Sequence, residues 1–128
     1  MPLQTTDKND LLIRLGAYLK RHGHTTVNNP GRPDFEIWLR NELPDEGSRN
    51  TYLRAIDRPE FAALLRSYKI TCGIYSCTNL NALFRAFEAV VNNNTVAAQK
   101  ANDYGNGNTV SAFRYFIEFL LYENGITI

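Results

Sequence analysis

The stretch Asn108–Gly125 reads NTVSAFRYFIEFLLYENG, and its pattern decides the fold class. Apolar residues occupy most of the circumference that it would have as a helix: Val110, Phe113, Phe116, Ile117, Phe119, Leu120 and Leu121. A helix that is apolar on nearly all sides has to be covered by other elements, so we expect it at the centre of a helical core. Asn108 is a favourable N-cap residue, and Gly125 suits the positive φ that often follows a helix.

The polar residues of this stretch share one narrow face, because Ser111, Arg114 and Glu118 stand at positions i, i+3 and i+7. Glu118 follows Arg114 by four residues, which is the spacing of an ordinary ion pair along a helix. We therefore predict a structural role for this carboxylate. The preceding Gly105-Asn106-Gly107 predicts a tight turn at the entry to the helix.

The remainder of the chain shows the apolar spacing of shorter helices. The first two predicted helices are Gln4–Arg21, with Thr6 or Asp7 as its cap, and Pro33–Leu43. Next come a short helix capped by Ser48 and containing Tyr52–Ile56, and a helix that begins with a capping box of Asp57 and Glu60 and reaches Tyr68. The last two before the C-terminal stretch run from Thr78 or Asn79 to Val91 and over Thr95–Asn102. Ile70–Cys77 has no partner strand and is predicted to be a connector. The sequence thus predicts an all-α single domain over residues 1–128, a compact bundle of six or seven helices around a buried C-terminal helix.

Localisation and metal binding follow from what the composition lacks. No apolar run approaches the ~18 residues that a membrane-spanning helix needs, and no signal-peptide pattern precedes the first leucines. We therefore expect a cytoplasmic protein without a membrane partner. A zinc site would have to combine Cys72 and Cys77 with His22 and His24 from a distant loop, so we expect two semi-buried thiols, no metal and no cofactor.

Catalysis is not expected either. The carboxylates of Asp34, Asp57 and Glu60 fall in predicted first turns of helices, where the helix dipole favours negative charge. Pro33-Asp34 with Glu36 could belong to a metal-dependent nuclease, but the second acid and the lysine of such a site are missing. No nucleophile, base and orienting group can be assembled, so we predict a non-enzymatic protein.

Basic residues are concentrated in the middle of the chain. Residues 49–69 carry five basic and two acidic side chains, although the net charge of the whole chain is only +1. The basic residues are Arg49, Arg54, Arg58, Arg66 and Lys69. We expect Arg49, Arg54 and Arg58 to contact phosphates, with Asn50 or an arginine at a base edge and Arg66 and Lys69 as flanking phosphate contacts.

The glycine-rich turn before the last helix offers a second candidate contact. Free backbone N–H groups and the dipole at a helix start can bind a phosphate, which makes Asn108 and Thr109 candidate contacts. No strand precedes the turn, so it is not a dinucleotide-binding fingerprint. A plain turn followed by an N-cap is the alternative.

Two resemblances to known families extend over most of the chain. Three stretches, Ile74-Tyr75, Thr78–Leu83 and Asn108–Leu120 with SAFRYFIEFL at Ser111–Leu120, together resemble the helical region ahead of the nuclease domain in HNH-type restriction endonucleases. Phe35–Leu65, with RNTYLRAI at Arg49–Ile56, looks like the first helices of the helical core-binding domain of tyrosine recombinases. The paired histidines and asparagine of the nuclease and the tyrosine-and-arginine set of the recombinase are absent, so no catalytic residue is carried over.

These resemblances imply a DNA-binding or DNA-positioning accessory domain of a restriction or mobile-element system, either the N-terminal part of a longer protein or a stand-alone descendant. The alternative is a protein-interaction module or homodimer. Seven Phe, seven Tyr and one Trp in 128 residues exceed what we expect one small core to bury, so the sequence predicts an exposed aromatic patch.

Overall fold

The computed structural model describes residues 7–104 and 107–128, which fold into a bundle of helices. These residues form seven α-helices: α1 Lys8–His22, α2 Arg32–Glu42, α3 Glu46–Asp57, α4 Pro59–Ser67, α5 Leu80–Asn92, α6 Val96–Asn102 and α7 Asn108–Glu123. A single 3₁₀ turn at Ile74–Ser76 lies between α4 and α5. The described residues contain no strand beyond an isolated antiparallel bridge between Thr26 and Asn79, so the predicted all-α class is confirmed.

The last helix, α7, lies at the centre of this bundle. It packs against α1, α2, α3, α5 and α6. Three of its phenylalanines, Phe113, Phe116 and Phe119, are fully buried. Phe116 meets Phe35 of α2 with 5.0 Å between ring centroids, and Phe113 meets Phe87 of α5 at 5.4 Å. The prediction of a buried C-terminal helix is therefore confirmed, and the edge-to-face rings explain how it joins elements distant in sequence.

Several helix ends lie where the sequence predicts them. Asp7 caps α1 by accepting from the Asp10 N–H at 2.8 Å, and Asn79 and Thr95 cap α5 and α6 in the same way. Gly125 adopts a φ of 63°, the left-handed conformation expected after a helix. The predicted helix start at Gln4, the alternative cap Thr6 and the Gly105-Asn106 part of the entry turn lie outside the described residues.

Three predicted caps are wrong, each because a neighbouring residue takes the role. Asp45, not Ser48, caps α3, and its carboxylate accepts from the Ser48 N–H at 2.9 Å and from the Ser48 hydroxyl at 2.7 Å. Asp57 forms no capping box with Glu60, because it is the last residue of α3 and binds Arg32. The N-cap of α7 is Gly107 with a φ of 76°, so Asn108 is the first residue of the helix.

Hydrogen bonds join the two long connections of the fold, the loop after α1 (residues 23–31) and the segment between α4 and α5 (residues 68–79). The Val27 N–H donates to the Thr78 carbonyl at 2.9 Å, and the Leu80 N–H donates to the Thr25 carbonyl at 3.1 Å. The Asn29 side chain donates to the Ile74 carbonyl at 2.8 Å. The predicted connector Ile70–Cys77 is thus held in place by the loop that follows α1.

Within the described ranges, no helix combines the length and the apolarity that crossing a membrane requires.

Candidate nucleic-acid interface

Two of the predicted contact residues lie free on the outer side of α3. Asn50 and Arg54 are both exposed and stand one turn apart, so their side chains share a face. Neither side chain forms a hydrogen bond or an ion pair within the described part of the chain. Both therefore remain able to bind an external partner.

The neighbouring arginines Arg49 and Arg58 are instead used inside the fold. Arg49 donates to the Leu43 carbonyl at 3.0 Å and also to the Pro44 carbonyl, which closes the end of α2. Arg58 donates to the Ala101 carbonyl at 3.1 Å, and its guanidinium lies 4.8 Å from the centre of the Tyr104 ring. These contacts direct both guanidinium groups towards the protein, where they satisfy carbonyls that a helix end leaves unpaired.

The predicted flanking contacts lie at the other end of α4. Arg66 is exposed in its last turn, and Lys69 follows with a φ of 65°, the left-handed conformation. The Lys69 N–H donates to the Arg66 carbonyl at 3.0 Å, which fixes the turn that carries both residues. Neither side chain has a partner among the residues that the structure describes, so both charges are available at the surface.

The start of α7 separates the two remaining predicted contacts. Thr109 is buried, and its hydroxyl donates to the Ala101 carbonyl at 2.7 Å, so its observed role is to hold α6 against α7. Asn108 is half-buried and lines a surface cleft. The first turn of α7 has no side-chain cap, and its N–H groups therefore lack the usual side-chain acceptor.

A polar cleft of about 460 Å³ lies between α3 and the start of α7. Gly47, Thr51 and Tyr52 of α3 line it on one side, and Asn108 lines it on the other. Gly47, Thr51 and Arg54 follow each other at i, i+4 and i+7, so the stripe that borders the cleft continues to the free arginine. Thr51 carries no charge and so is not marked by the pattern of basic residues, but its helical spacing from Gly47 and Arg54 identifies it.

Two carboxylates next to this surface are already engaged. Asp45 also lines the cleft, and hydrogen bonds from Ser48 hold the pKa of its carboxyl below the usual value. Asp57 binds Arg32 at 2.6 Å, and this bond raises the pKa of the Arg32 guanidinium. The surface next to Arg54 therefore carries side chains of both charges and is not uniformly basic.

The expected aromatic patch is not formed. Six of the seven phenylalanines are fully buried, and among the described aromatic residues only Tyr122 is exposed, at 42%. The core takes up the rings because α7 contacts them from several sides. The other large apolar side chains exposed in this part of the chain are Ile13, Ile37 and Val96.

The side chains with the chemistry for nucleophilic attack or metal binding are either protonated or not clustered in the described residues. Burial raises the pKa of the Cys77 thiol and that of the Tyr75 hydroxyl, so both stay protonated at neutral pH. Cys72 is exposed and, like Cys77, is not in a disulfide. Over residues 7–104 and 107–128, no group of three or more His, Cys, Asp or Glu side chains is placed to hold a metal ion.

Comparisons of the chain with protein-family models, with curated proteins and with solved structures gave no match.

Proposed function

We propose that this protein is a non-enzymatic DNA-binding or DNA-positioning domain that uses the outer face of α3 and the start of α7. The observation that supports this proposal is the polar cleft shared by Thr51 and Asn108, next to the free side chains of Asn50 and Arg54. This cleft lies between the basic segment on α3 and the start of α7, the two regions for which the sequence separately predicts phosphate contacts. Arg49, Arg58 and Thr109 are left out of the footprint because the fold uses them.

Each residue of this surface has a role that its chemistry suits. Arg54 would bind a backbone phosphate with its planar set of N–H donors, and Asn50 is able to make the paired hydrogen bonds that recognise adenine. The uncapped first turn of α7, with Asn108, would take a second phosphate through backbone N–H groups and the helix dipole. Arg66 and Lys69 would extend the phosphate contacts beyond α4.

The resemblances to restriction endonucleases and tyrosine recombinases support the choice of DNA as the nucleic acid. They also suggest the biological setting, a restriction or mobile-element system acting in the cytoplasm. In that setting the domain would position DNA for a catalytic domain carried by the same protein or by another one.

The test is a fluorescence-anisotropy titration of labelled duplex DNA at low and at physiological salt. Asn50→Ala/Arg54→Ala should weaken binding by about tenfold and reduce the salt slope by ~1, because one phosphate contact is lost. Arg21→Ala is the matched control, since it removes one positive charge at an exposed position of α1 and should leave both the affinity and the salt slope nearly unchanged.

Two results would remove this proposal. One is the absence of binding at low salt by a folded wild-type protein. The other is an equal loss of affinity in the α3 double variant and in the α1 control, which would show that only net charge matters and that α3 has no special place.

A protein-interaction module is the second candidate, and one specific observation favours it. Ile37 of α2 is 57% exposed, and it lies with Tyr122 of α7 around a single cleft. Two exposed large apolar side chains that border one depression would give a partner apolar area to cover. Sedimentation velocity over a range of concentrations would detect self-association through this surface.

A further inference from the structure

A second cleft, of about 290 Å³, lies between α2 and the end of α7. It is separate in its lining residues from the polar cleft of the DNA proposal. Its walls combine carboxylates, the Asn41 amide, large apolar side chains and one buried tryptophan. The inference drawn from it rests on the second candidate function, because it names the partner that this surface would take.

The charge of the cleft is negative. Asp34, Glu42 and Glu123 line it, and no lysine or arginine is among the lining residues of the described chain. Asp34 and Glu123 are exposed, so their charges face solvent at the rim. Asp34 lies in the first turn of α2, where the helix dipole already explains it, but Glu123 lies in the last turn of α7, where a negative charge is unfavourable.

The apolar part of the cleft is open to solvent. Ile37 and Tyr122 contribute two of the four large apolar side chains that are exposed in the described residues. A long side chain with an aliphatic stem can cover such groups while its charged end stays at the rim. A cation placed against the Tyr122 ring would gain an additional electrostatic attraction.

Trp38 provides an observation that is independent of the charges. It lines the cleft, is only 6% exposed, and its indole N–H has no acceptor among the described residues. A buried donor without a partner is costly, so an acceptor brought by a ligand would bind favourably there. A peptide carbonyl is an acceptor of this kind.

We propose that this cleft binds an arginine-bearing peptide segment of a partner protein. The guanidinium lies between the carboxylates of Asp34 and Glu123, its aliphatic stem covers Ile37, and a backbone carbonyl of the segment accepts from the Trp38 indole. Arginine suits the site better than lysine, because its planar fork can serve two carboxylates and stack on an aromatic ring.

A second copy of this chain is a poorer occupant. A two-fold dimer would place the same patch on both sides of the interface. The rim carboxylates of Asp34 and Glu123 would then face their own copies, and like charges brought together oppose association. The negative charge of the cleft thus favours a basic partner.

Trp38 is the only tryptophan in the chain, so its fluorescence reports on this site directly. The full chain is titrated with acetyl-Gly-Arg-Leu-Arg-Gly-amide, which has no aromatic residue, and with the same peptide carrying Gln in place of Arg. We expect a saturable change in emission with the first peptide alone. Asp34→Asn/Glu123→Gln should weaken the apparent affinity by about three- to tenfold, and Glu88→Gln on α5 should not change it.

The outcomes separate this inference from the functions on which it rests. No change in emission with the arginine peptide, an equal response to the glutamine peptide, or an unchanged affinity in the Asp34/Glu123 variant would each overturn it. A concentration-dependent dimer that Tyr122→Ala abolishes would also overturn it, while leaving the interaction module intact. Circular dichroism of every variant establishes that a lost response is not a lost fold.

Discussion

At the scale of single residues, the same side chain serves different purposes within one short segment. Arg49 and Arg58 satisfy main-chain carbonyls, whereas Arg54, between them on α3, has no partner in the described part of the chain. Arginine can act in both ways because its rigid fork of donors suits a buried carbonyl as well as an external phosphate. A count of charges therefore overestimates the binding surface.

Replacing Arg58 should destabilise the fold, and replacing Arg54 should not. Arg58→Ala removes the bond to the Ala101 carbonyl and the contact with the Tyr104 ring, so we expect a loss of about 1–3 kcal/mol in the free energy of unfolding. Arg54→Ala is the control and should stay within about 0.5 kcal/mol of the wild type. Urea denaturation measures both, and equal effects would contradict the division of roles.

Thr109 and Arg58 should be coupled, because both donate to the same Ala101 carbonyl. Each single variant leaves the Ala101 carbonyl with one of these two donors, but Arg58→Ala/Thr109→Val removes both. We expect the double variant to lose about 0.5–3 kcal/mol more than the sum of the single losses. Thr109→Ser, which keeps the hydroxyl, is the control, and additive losses in the double-mutant cycle would argue against a shared acceptor.

At the scale of elements, helix starts are decided by which polar side chain reaches the free N–H groups. Asp45 and Ser48 are both acceptable N-cap residues, and the structure selects Asp45. The helix then begins at Glu46 and includes Gly47. The choice adds nearly a turn to α3 and brings Gly47 and Thr51 to the polar cleft.

The cap of α3 should make stability depend on acid. The pKa of Asp45 is lowered in the fold, so its contribution is present above the ordinary value of 3.8 and is lost as the pH falls towards the lower folded value. Asp45→Asn should thus be less stable than the wild type at neutral pH and nearly equal to it in strong acid. Thermal melts across this range test the sign, and a difference that grows in acid would contradict it.

At the scale of the whole molecule, α7 makes the bundle one cooperative unit. Five helices pack directly on it, and α4 joins through the contact of Phe61 with Phe113 at 5.2 Å. Rings of α2, α4 and α5 all contact the phenylalanines of α7, so separating any of these helices from α7 would expose one of its buried rings. We therefore expect the secondary structure and the core to unfold together.

The cooperative unit predicts coincident transitions. Helicity from circular dichroism reports on every helix, and Trp38 fluorescence reports on the contact between α2 and α7. The two unfolding curves should superimpose. In Phe116→Ala, both should report a free energy of unfolding lowered by about 3–5 kcal/mol, since that ring is fully buried. Leu12→Met, a volume-conserving change at a half-buried position, is the control. Curves that separate would indicate a part of the fold that unfolds independently.

The sequence alone determined the helical class, the central position of α7 and several of the helix ends. Those features depend on apolar periodicity and on caps, which are local and are written in consecutive residues. The caps at Asp7, Asn79 and Thr95 are examples, as is the positive φ of Gly125.

Only the tertiary structure decided which polar side chains remain free. Arg58 and Thr109 both donate to the Ala101 carbonyl, which lies 43 residues from Arg58 and eight from Thr109 along the chain. Asn108 of α7 lines the same cleft as Thr51 of α3. The same packing left only one aromatic side chain exposed in the described ranges, Tyr122, and placed Trp38 beside a cleft. Local sequence patterns specify the helices, but the partners of a side chain depend on how the helices pack. Packing depends on residues far apart in the sequence, so no local stretch specifies those partners.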